Sequence, residues 1–166
     1  MLGASVGHLL ELPHKMQLSA ADYLTVQQTY QGWNRLGFAI VVSLSSSITL
    51  AALLRANRSA FVWLLTAISA IAVGQVVFWT WTFPVNTETQ NWTILPEQWM
   101  RLRSQWEYSH AAGAALTVIA LLALALAALR SARVRKSPTS VPVHKNWKEG
   151  RVSIRRGQVG KFENDC

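Results

Sequence analysis

Three uninterrupted apolar runs dominate the pattern of hydrophobic and polar positions along the chain. They cover residues 37–54 (GFAIVVSLSSSITLAALL), 61–83 (FVWLLTAISAIAVGQVVFWTWTF) and 111–129 (AAGAALTVIALLALALAAL). At about 1.5 Å per residue, a helix over each run comes close to the roughly 30 Å of bilayer hydrocarbon. None of the runs has the polar face that a helix of a soluble bundle carries. The pattern therefore predicts three transmembrane helices.

A fourth apolar segment, residues 1–12 (MLGASVGHLLEL), is too short to span a bilayer and is followed by Pro13. It has neither the basic start nor the cleavage site of a signal peptide. We expect a short or truncated helix that either enters only part of the bilayer or begins upstream of Met1. The predicted fold is all-α, an integral membrane four-helix bundle with three full spans and this partial helix.

The basic residues are concentrated after the last apolar run. Residues 1–129 carry six Lys/Arg and five Asp/Glu, whereas residues 130–166 carry ten and three. We therefore divide the chain into a transmembrane bundle, residues 1–130, and a basic, mostly disordered tail, residues 131–166. A nearly neutral, apolar body with a basic flank is typical of a protein whose partner is the lipid bilayer, and it argues against nucleic-acid binding.

The positions of the basic residues also predict an orientation. Arg55 and Arg58 lie between the first two full spans, and Arg130 directly follows the last one. Since short basic segments remain in the cytoplasm, the tail is expected to be cytoplasmic and the loop 84–110 non-cytoplasmic. The protein is thus expected in the cell membrane, as a multi-pass protein.

The segment before the last span places several chemical groups on one helical face. At about 100° per residue, one face presents Trp99, Arg103, Trp106, Glu107 and His110. Ionisable groups at a membrane boundary are costly and commonly face an interior site. The alternative is an interfacial helix in which Arg103 and Glu107 form an ordinary i,i+4 salt bridge.

Near the N-terminus, His8 and Glu11 lie one helical turn apart. With His110 they could form a His/His/carboxylate metal site, although three residues from two helices give no diagnostic spacing, and we assign no metal. Alternatively, they could line a proton-handling or quinone-binding pocket, because a neutral histidine acts as acid or base near pH 7. A purely structural role in holding neighbouring helices together remains equally open.

Two stretches resemble the anthrone-oxygenase-like family of small four-helix bacterial membrane proteins. The first is His8-Leu-Leu-Glu-Leu-Pro-His-Lys15 with Tyr23-Leu-Thr-Val-Gln-Gln28, and the second is Pro84-Val-Asn86 with Trp99 and Leu102-Arg-Ser-Gln-Trp-Glu-Tyr-Ser-His110. The resemblance covers roughly residues 1–130. Asn86, Trp106 and His110 match the family motif, but Gly113 and Ala114 stand where an arginine is often found.

The resemblance implies oxidation of an aromatic ring by molecular oxygen without an evident cofactor, as characterised relatives convert anthrones to anthraquinones; most bacterial members have no assigned activity. In such a reaction His110 would remove a proton, Arg103 would stabilise the oxyanion and Trp99 and Trp106 would sandwich the ring.

The expected pocket combines the groups identified above. The candidate catalytic residues are His110, Arg103 and Glu107, and the candidate substrate-binding residues are Trp99, Trp106, Asn86, His8 and Glu11. The expected function is that of a cofactor-independent oxidoreductase acting on an aromatic or quinone-like substrate. The alternative is a non-enzymatic membrane subunit or a lipid- or quinone-binding module. The sequence determines neither a cofactor nor whether the chain forms a homo-oligomer.

Overall fold

A computed structural model describes residues 2–135, and within that range the side chains of residues 2, 4, 5, 34, 36 and 133–135 are not described. All regular secondary structure in the described chain is helical, as predicted. The helices are α1 (Leu2–Lys15), α2 (Ala20–Gln27), α3 (Gly37–Leu53), α4 (Arg58–Val77), α5 (Phe83–Glu88) and α6 (Trp99–Arg135). Short 3-10 helices cover Gln28–Tyr30 and Trp33–Leu36, and a π-helical turn covers Phe78–Thr82.

Two helical stretches, Arg58–Glu88 and Trp99–Ala132, are long and apolar enough to cross a membrane, and α3 is a shorter apolar helix. α4 packs mainly against α6, α3 packs against α4, and α1 packs against α6. The side chains buried between the long helices are mostly alanines, which allow the backbones to approach closely. They are Ala60, Ala67 and Ala70 of α4 and Ala114, Ala120, Ala123 and Ala127 of α6.

The buried apolar side chains form two clusters. One contains Ala51, Leu64 and Ala127, where α3, α4 and α6 meet. The other contains the larger side chains Tyr23, Val85, Trp92, Leu102 and Trp106. The second cluster therefore lies where α2 and α5 cover the first turns of α6, and it supports the polar groups described below.

Helix boundaries differ from the expected ones beside two prolines and at the start of the tail. α1 continues through Pro13 to Lys15, since a proline in the last turn forfeits only one backbone hydrogen bond. At Pro84 the chain winds through the π-helical turn, in which the Phe83 backbone N–H donates to the Phe78 carbonyl. α6 extends to Arg135, so residues 131–135, the first five of the segment assigned to the tail, are helical. The rest of that tail, 136–166, lies outside the described residues.

Candidate functional site

One end of the bundle encloses a group of polar and aromatic side chains, which we call the polar cluster. α1 and the chain from α2 to the first 3-10 helix contribute one side, and the first turns of α6 contribute the other. The members are His8, Glu11, Lys15, Tyr23, Gln27, Tyr30, Arg103, Trp106, Glu107 and His110. Six of the eight residues predicted to line a pocket thus belong to it.

A buried ion pair occupies the centre of the polar cluster. Lys15 Nζ lies 3.5 Å from Glu107 Oε1, and the two side chains are 3% and 0% exposed. Glu107 Oε1 also accepts hydrogen bonds from Tyr23 Oη at 3.0 Å and from Gln27 Nε2 at 3.4 Å. Glu107 therefore pairs with Lys15 across two helices, and the interpretation as an i,i+4 salt bridge with Arg103 is wrong.

Lys15 also connects the cluster to its exposed edge. Its Nζ atom lies 3.3 Å from Glu11 Oε2, and the Glu11 side chain is 50% exposed. Tyr30 donates a hydrogen bond to the same carboxylate oxygen. Burial raises the pKa of Glu11, but the hydrogen bonds from Tyr30 and Lys15 and the charge of Lys15 outweigh it and lower this pKa overall. Glu11 therefore remains an anion facing the outside of the cluster.

Arg103 holds the end of α1. Its Nη1 atom donates to the backbone carbonyls of Lys15 at 3.3 Å and of Leu18 at 2.9 Å. Its guanidinium lies 4.7 Å from the ring centroid of Trp99 and 5.5 Å from that of Tyr23. A charged donor at a helix C-terminus satisfies carbonyls that have no partner within the helix. Arg103 thus uses its Nη1 atom to fix the end of α1.

Two histidines stack against each other beside Trp106. The rings of His8 and His110 are 4.5 Å apart and inclined by 15°, and the His110 ring lies 3.9 Å from that of Trp106. Neither His8 Nδ1 nor His110 Nε2 has a hydrogen-bond partner within the described chain, although both atoms are buried. Burial, assisted by the charge of Lys15, lowers the pKa of His8 to about 4. His8 is therefore neutral near pH 7.

Rings of the chain itself surround Trp106. His8 lies 5.2 Å from it, Tyr30 6.1 Å and Trp92 6.4 Å. Trp99, by contrast, is covered by Arg103. Trp99 and Trp106 are two helical turns apart on α6, or about 10.5 Å along its axis. Trp106 belongs to the polar cluster and Trp99 lies beside it against Arg103, so the two indoles contact different groups, and a ring sandwiched between them stays a prediction.

Asn86 reaches the cluster through a hydrogen bond. Its Oδ1 atom accepts from Trp106 Nε1 at 2.8 Å. The amide thus orients the indole that the two imidazoles contact. Asn86 therefore supports Trp106.

The metal alternative finds no support in the described part of the chain, where no group of three His, Cys, Asp or Glu is arranged to hold an ion. The two imidazoles lie face to face, so their nitrogen lone pairs do not converge on a point. The Glu11 carboxylate is already engaged by Lys15 and Tyr30. In this arrangement the stacked imidazoles and the engaged carboxylate do not converge as three ligands of one ion.

The sequence interpretation missed Lys15, Tyr23, Gln27, Tyr30 and Trp92. Helical spacing could have revealed three of them, since Tyr23, Gln27 and Tyr30 recur at i, i+4 and i+7. Trp92 had no such signal. It belongs to a turn in which Gln90, Asn91 and Trp92 all have positive φ, at 48°, 56° and 61°, without a glycine to mark it. That turn buries Trp92 against Tyr23 at 4.9 Å.

These features define a helical protein with two highly apolar helices and a buried, charged and aromatic site at one end of the bundle. The phenols of Tyr23 and Tyr30 remain proton donors there, because burial and the neighbouring carboxylates raise the pKa of each. No protein-family model, curated protein or solved structure matches the chain significantly. The function is therefore inferred from the geometry of the polar cluster.

Proposed function

We propose that this chain is an integral membrane protein that binds a hydroxylated aromatic molecule at the polar cluster and exchanges a proton with it. The membrane part of the proposal is supported by the distribution of apolar side chains, which is the reverse of that in a water-soluble protein. Large apolar residues face outwards, including Phe38 at 74% exposure and Leu53 at 73%, while the long helices bury alanines. Only 17% and 22% of the most apolar stretches of the two longest helices are buried within the protein. A hydrocarbon surrounding suits this distribution, whereas water does not.

The charge distribution supports one orientation of this membrane protein. The exposed Arg55 lies in the connection between α3 and α4, and the exposed Arg58 begins α4. Arg130 lies near the end of α6, close to the same end of the bundle. The polar cluster lies at the opposite end. By the preference of basic loops for the cytoplasm, the cluster would open on the non-cytoplasmic side.

The stacked imidazoles beside Trp106 are the observation that carries the proposed binding. His8 and His110 offer two buried nitrogens without partners among the described residues, and a buried polar group without a partner is costly. A neutral imidazole accepts a proton from an acidic O–H or C–H group, and the ring of Trp106 offers an aromatic surface next to it. The rings of Tyr30 and Trp33 lie 4.6 Å and 5.7 Å from that of His8. An aromatic ligand that displaces one of them would bring a donor to the imidazole and a ring to Trp106.

The unpartnered oxygens of the cluster favour a ligand that donates hydrogen bonds. Glu107 Oε2 and Gln27 Oε1 are buried and have no partner among the described residues. Both are acceptors, because Gln27 uses its Nε2 atom as a donor to Glu107. A hydroxylated ring supplies O–H donors, whereas a quinone supplies only acceptors. Proton removal from such a ring would be the first step of the oxygenase reaction that the sequence resemblance implies.

The test uses 1,8-dihydroxyanthrone as a probe, with binding followed by native mass spectrometry and turnover by oxygen consumption in detergent. His110→Ala is expected to weaken binding about tenfold, which corresponds to roughly 1.4 kcal/mol. His14→Ala is the control, because His14 is an exposed residue of the same helix as His8. Probe binding that is absent in the wild-type protein, or equal in both variants, would overturn the proposal.

A non-enzymatic role as a membrane subunit is the second candidate, and one observation favours it. Both charged side chains of α6 in the cluster, Arg103 and Glu107, tie α1 to the bundle. This arrangement suits a site whose purpose is to hold helices. If it is correct, His110→Ala lowers thermal stability while neither protein binds the probe or consumes oxygen.

A further inference from the structure

A second concave surface lies on the opposite face of α6 from the polar cluster. At about 100° per residue, Arg101, Gln105 and Tyr108 point away from the side that carries Trp106 and His110. They form one wall of an open groove of about 540 Å³, and the end of α4 with the π-helical turn forms the other. The lining residues are Val77, Trp81, Arg101, Ser104, Gln105, Tyr108, Ser109 and Ala112.

The groove changes in polarity along its length. Arg101 marks one end, Ser104 and Gln105 follow, and Ala112 with Val77 forms the other end. Arg101 and Ala112 are eleven residues apart on one helix, or about 16 Å along its axis. The exposed lining is mostly apolar, because Ser104 and Gln105 bond to backbone carbonyls, and Arg101 supplies the charge at one end. This order suits a lipid whose headgroup lies at Arg101 and whose acyl chain follows the rest of the groove.

The charged end has an unbalanced cation. Arg101 is exposed, and none of the acidic side chains of the described chain forms an ion pair with it. The amide of Gln105 is held in place, because its Nε2 atom donates to the Trp81 carbonyl at 2.9 Å. This bond fixes the two walls of the groove relative to each other and leaves Arg101 free to meet an anion.

We propose that this groove binds an anionic phospholipid, with the phosphate on Arg101 and an acyl chain passing Tyr108 towards Ala112 and Val77. The inference rests on the membrane part of the proposed function and is independent of the polar cluster. An unpaired arginine favours a lipid of net negative charge over a zwitterionic one, by about 1 kcal/mol for one basic residue near the surface. A soluble anion would leave the apolar end of the groove uncovered.

The experiment reconstitutes the full chain into nanodiscs that contain phosphatidylcholine and phosphatidylglycerol, and native mass spectrometry counts the lipids that the released protein retains. The wild-type protein is expected to retain phosphatidylglycerol in preference, with Arg101 contributing about a factor of five. Arg101→Gln should lower the preference by that factor. Arg35→Gln is the matched control, because Arg35 is an exposed arginine outside the groove, and it should leave the preference intact.

A second variant tests the apolar end separately. Ala112→Phe fills the groove without changing its charge, and it should reduce the number of retained lipids of either kind. Equal retention of both lipids by the wild-type protein, or the same loss in Arg35→Gln as in Arg101→Gln, would overturn the inference. Failure of the wild-type chain to insert into vesicles, measured by flotation, would instead overturn the membrane proposal, so the two failures are distinguishable.

Discussion

At the scale of single residues, the Lys15–Glu107 pair is the most consequential contact. Both side chains are almost completely buried, so neither charge is stabilised by water. Removing one partner of such a pair leaves an uncompensated charge and commonly costs about 3–5 kcal/mol, whereas replacing both with apolar groups is often neutral. Glu11 is different, because its exposed carboxylate is screened by solvent.

A double-mutant cycle on this pair measures the coupling. Lys15→Met and Glu107→Leu should each destabilise the protein by about 3 kcal/mol, and the double variant should lose much less than the sum. Glu11→Gln is the control and should cost less than about 1 kcal/mol. The measurement is denaturant unfolding in detergent micelles, followed by tryptophan fluorescence. Strictly additive losses would contradict the pairing.

At the scale of helices, apolar runs predicted the long elements well, and proline and loop segments were predicted poorly. α3 ends at Leu53, one residue before the end of the run that predicted it. α2 was not predicted, because its eight residues have no marked apolar periodicity and its start depends on Ser19 accepting a hydrogen bond from the Asp22 backbone. A hydrophobic periodicity can be recognised only over several helical turns. A helix of eight residues that begins at a capping residue is therefore not detected by it.

The site residues on α6 were predicted better than those on the rest of the chain, because α6 is long enough for helical spacing to define its faces. Helical spacing alone is enough to place Arg103, Trp106, Glu107 and His110 on one face of a single helix. It gives no information on which residues of other elements meet that face, so Lys15 was missed. Which residue pairs with Glu107 depends on how α1 packs against α6, and the sequence of α6 alone does not determine that packing.

The alanine contacts between α4 and α6 lead to a prediction about these two helices. Ala67 is fully buried, whereas Val73 of the same helix is 49% exposed. Ala67→Leu should push the helices apart and cost about 1–3 kcal/mol, while Val73→Leu should change stability by less than about 0.5 kcal/mol. Thermal unfolding in detergent provides the comparison. Similar losses in both variants would show that the helices do not pack on their alanines.

At the scale of the whole molecule, the membrane proposal makes a prediction about how the exposed apolar surface and the basic residues would be placed in a bilayer. Phe38, Val76, Leu122 and Leu129 are all at least 58% exposed and belong to three different helices. They would face lipid on all sides of the bundle. Both the α3–α4 connection and the end of α6 are basic, so both are expected on the cytoplasmic side. If α4 and α6 each cross the membrane once, the chain makes two crossings between these segments and returns to the same side.

Cysteine labelling tests this arrangement in a Cys166→Ser background expressed in bacteria. Thr93→Cys, before α6, should react with a membrane-impermeant maleimide in intact cells. Ser59→Cys, at the start of α4, should react only after permeabilisation, because it lies at the opposite end of the same helical pair. The reverse pattern would invert the topology, and labelling of both sites in intact cells would contradict a spanning α4.

The π-helical turn at Phe78–Thr82 adds one residue to the stretch between α4 and Asn86. A π turn winds one more residue into the same stretch than an α-helix does, so every side chain beyond it is set back by one position, or about 100°. The hydrogen bond between Asn86 and Trp106 forms with Asn86 rotated by this amount relative to a regular helix. The connection between α4 and Asn86 is therefore one residue longer than a regular helix requires. A chain lacking one residue of this turn, with Ala in place of Pro84, could run straight into α5 and still direct the same amide towards the same indole.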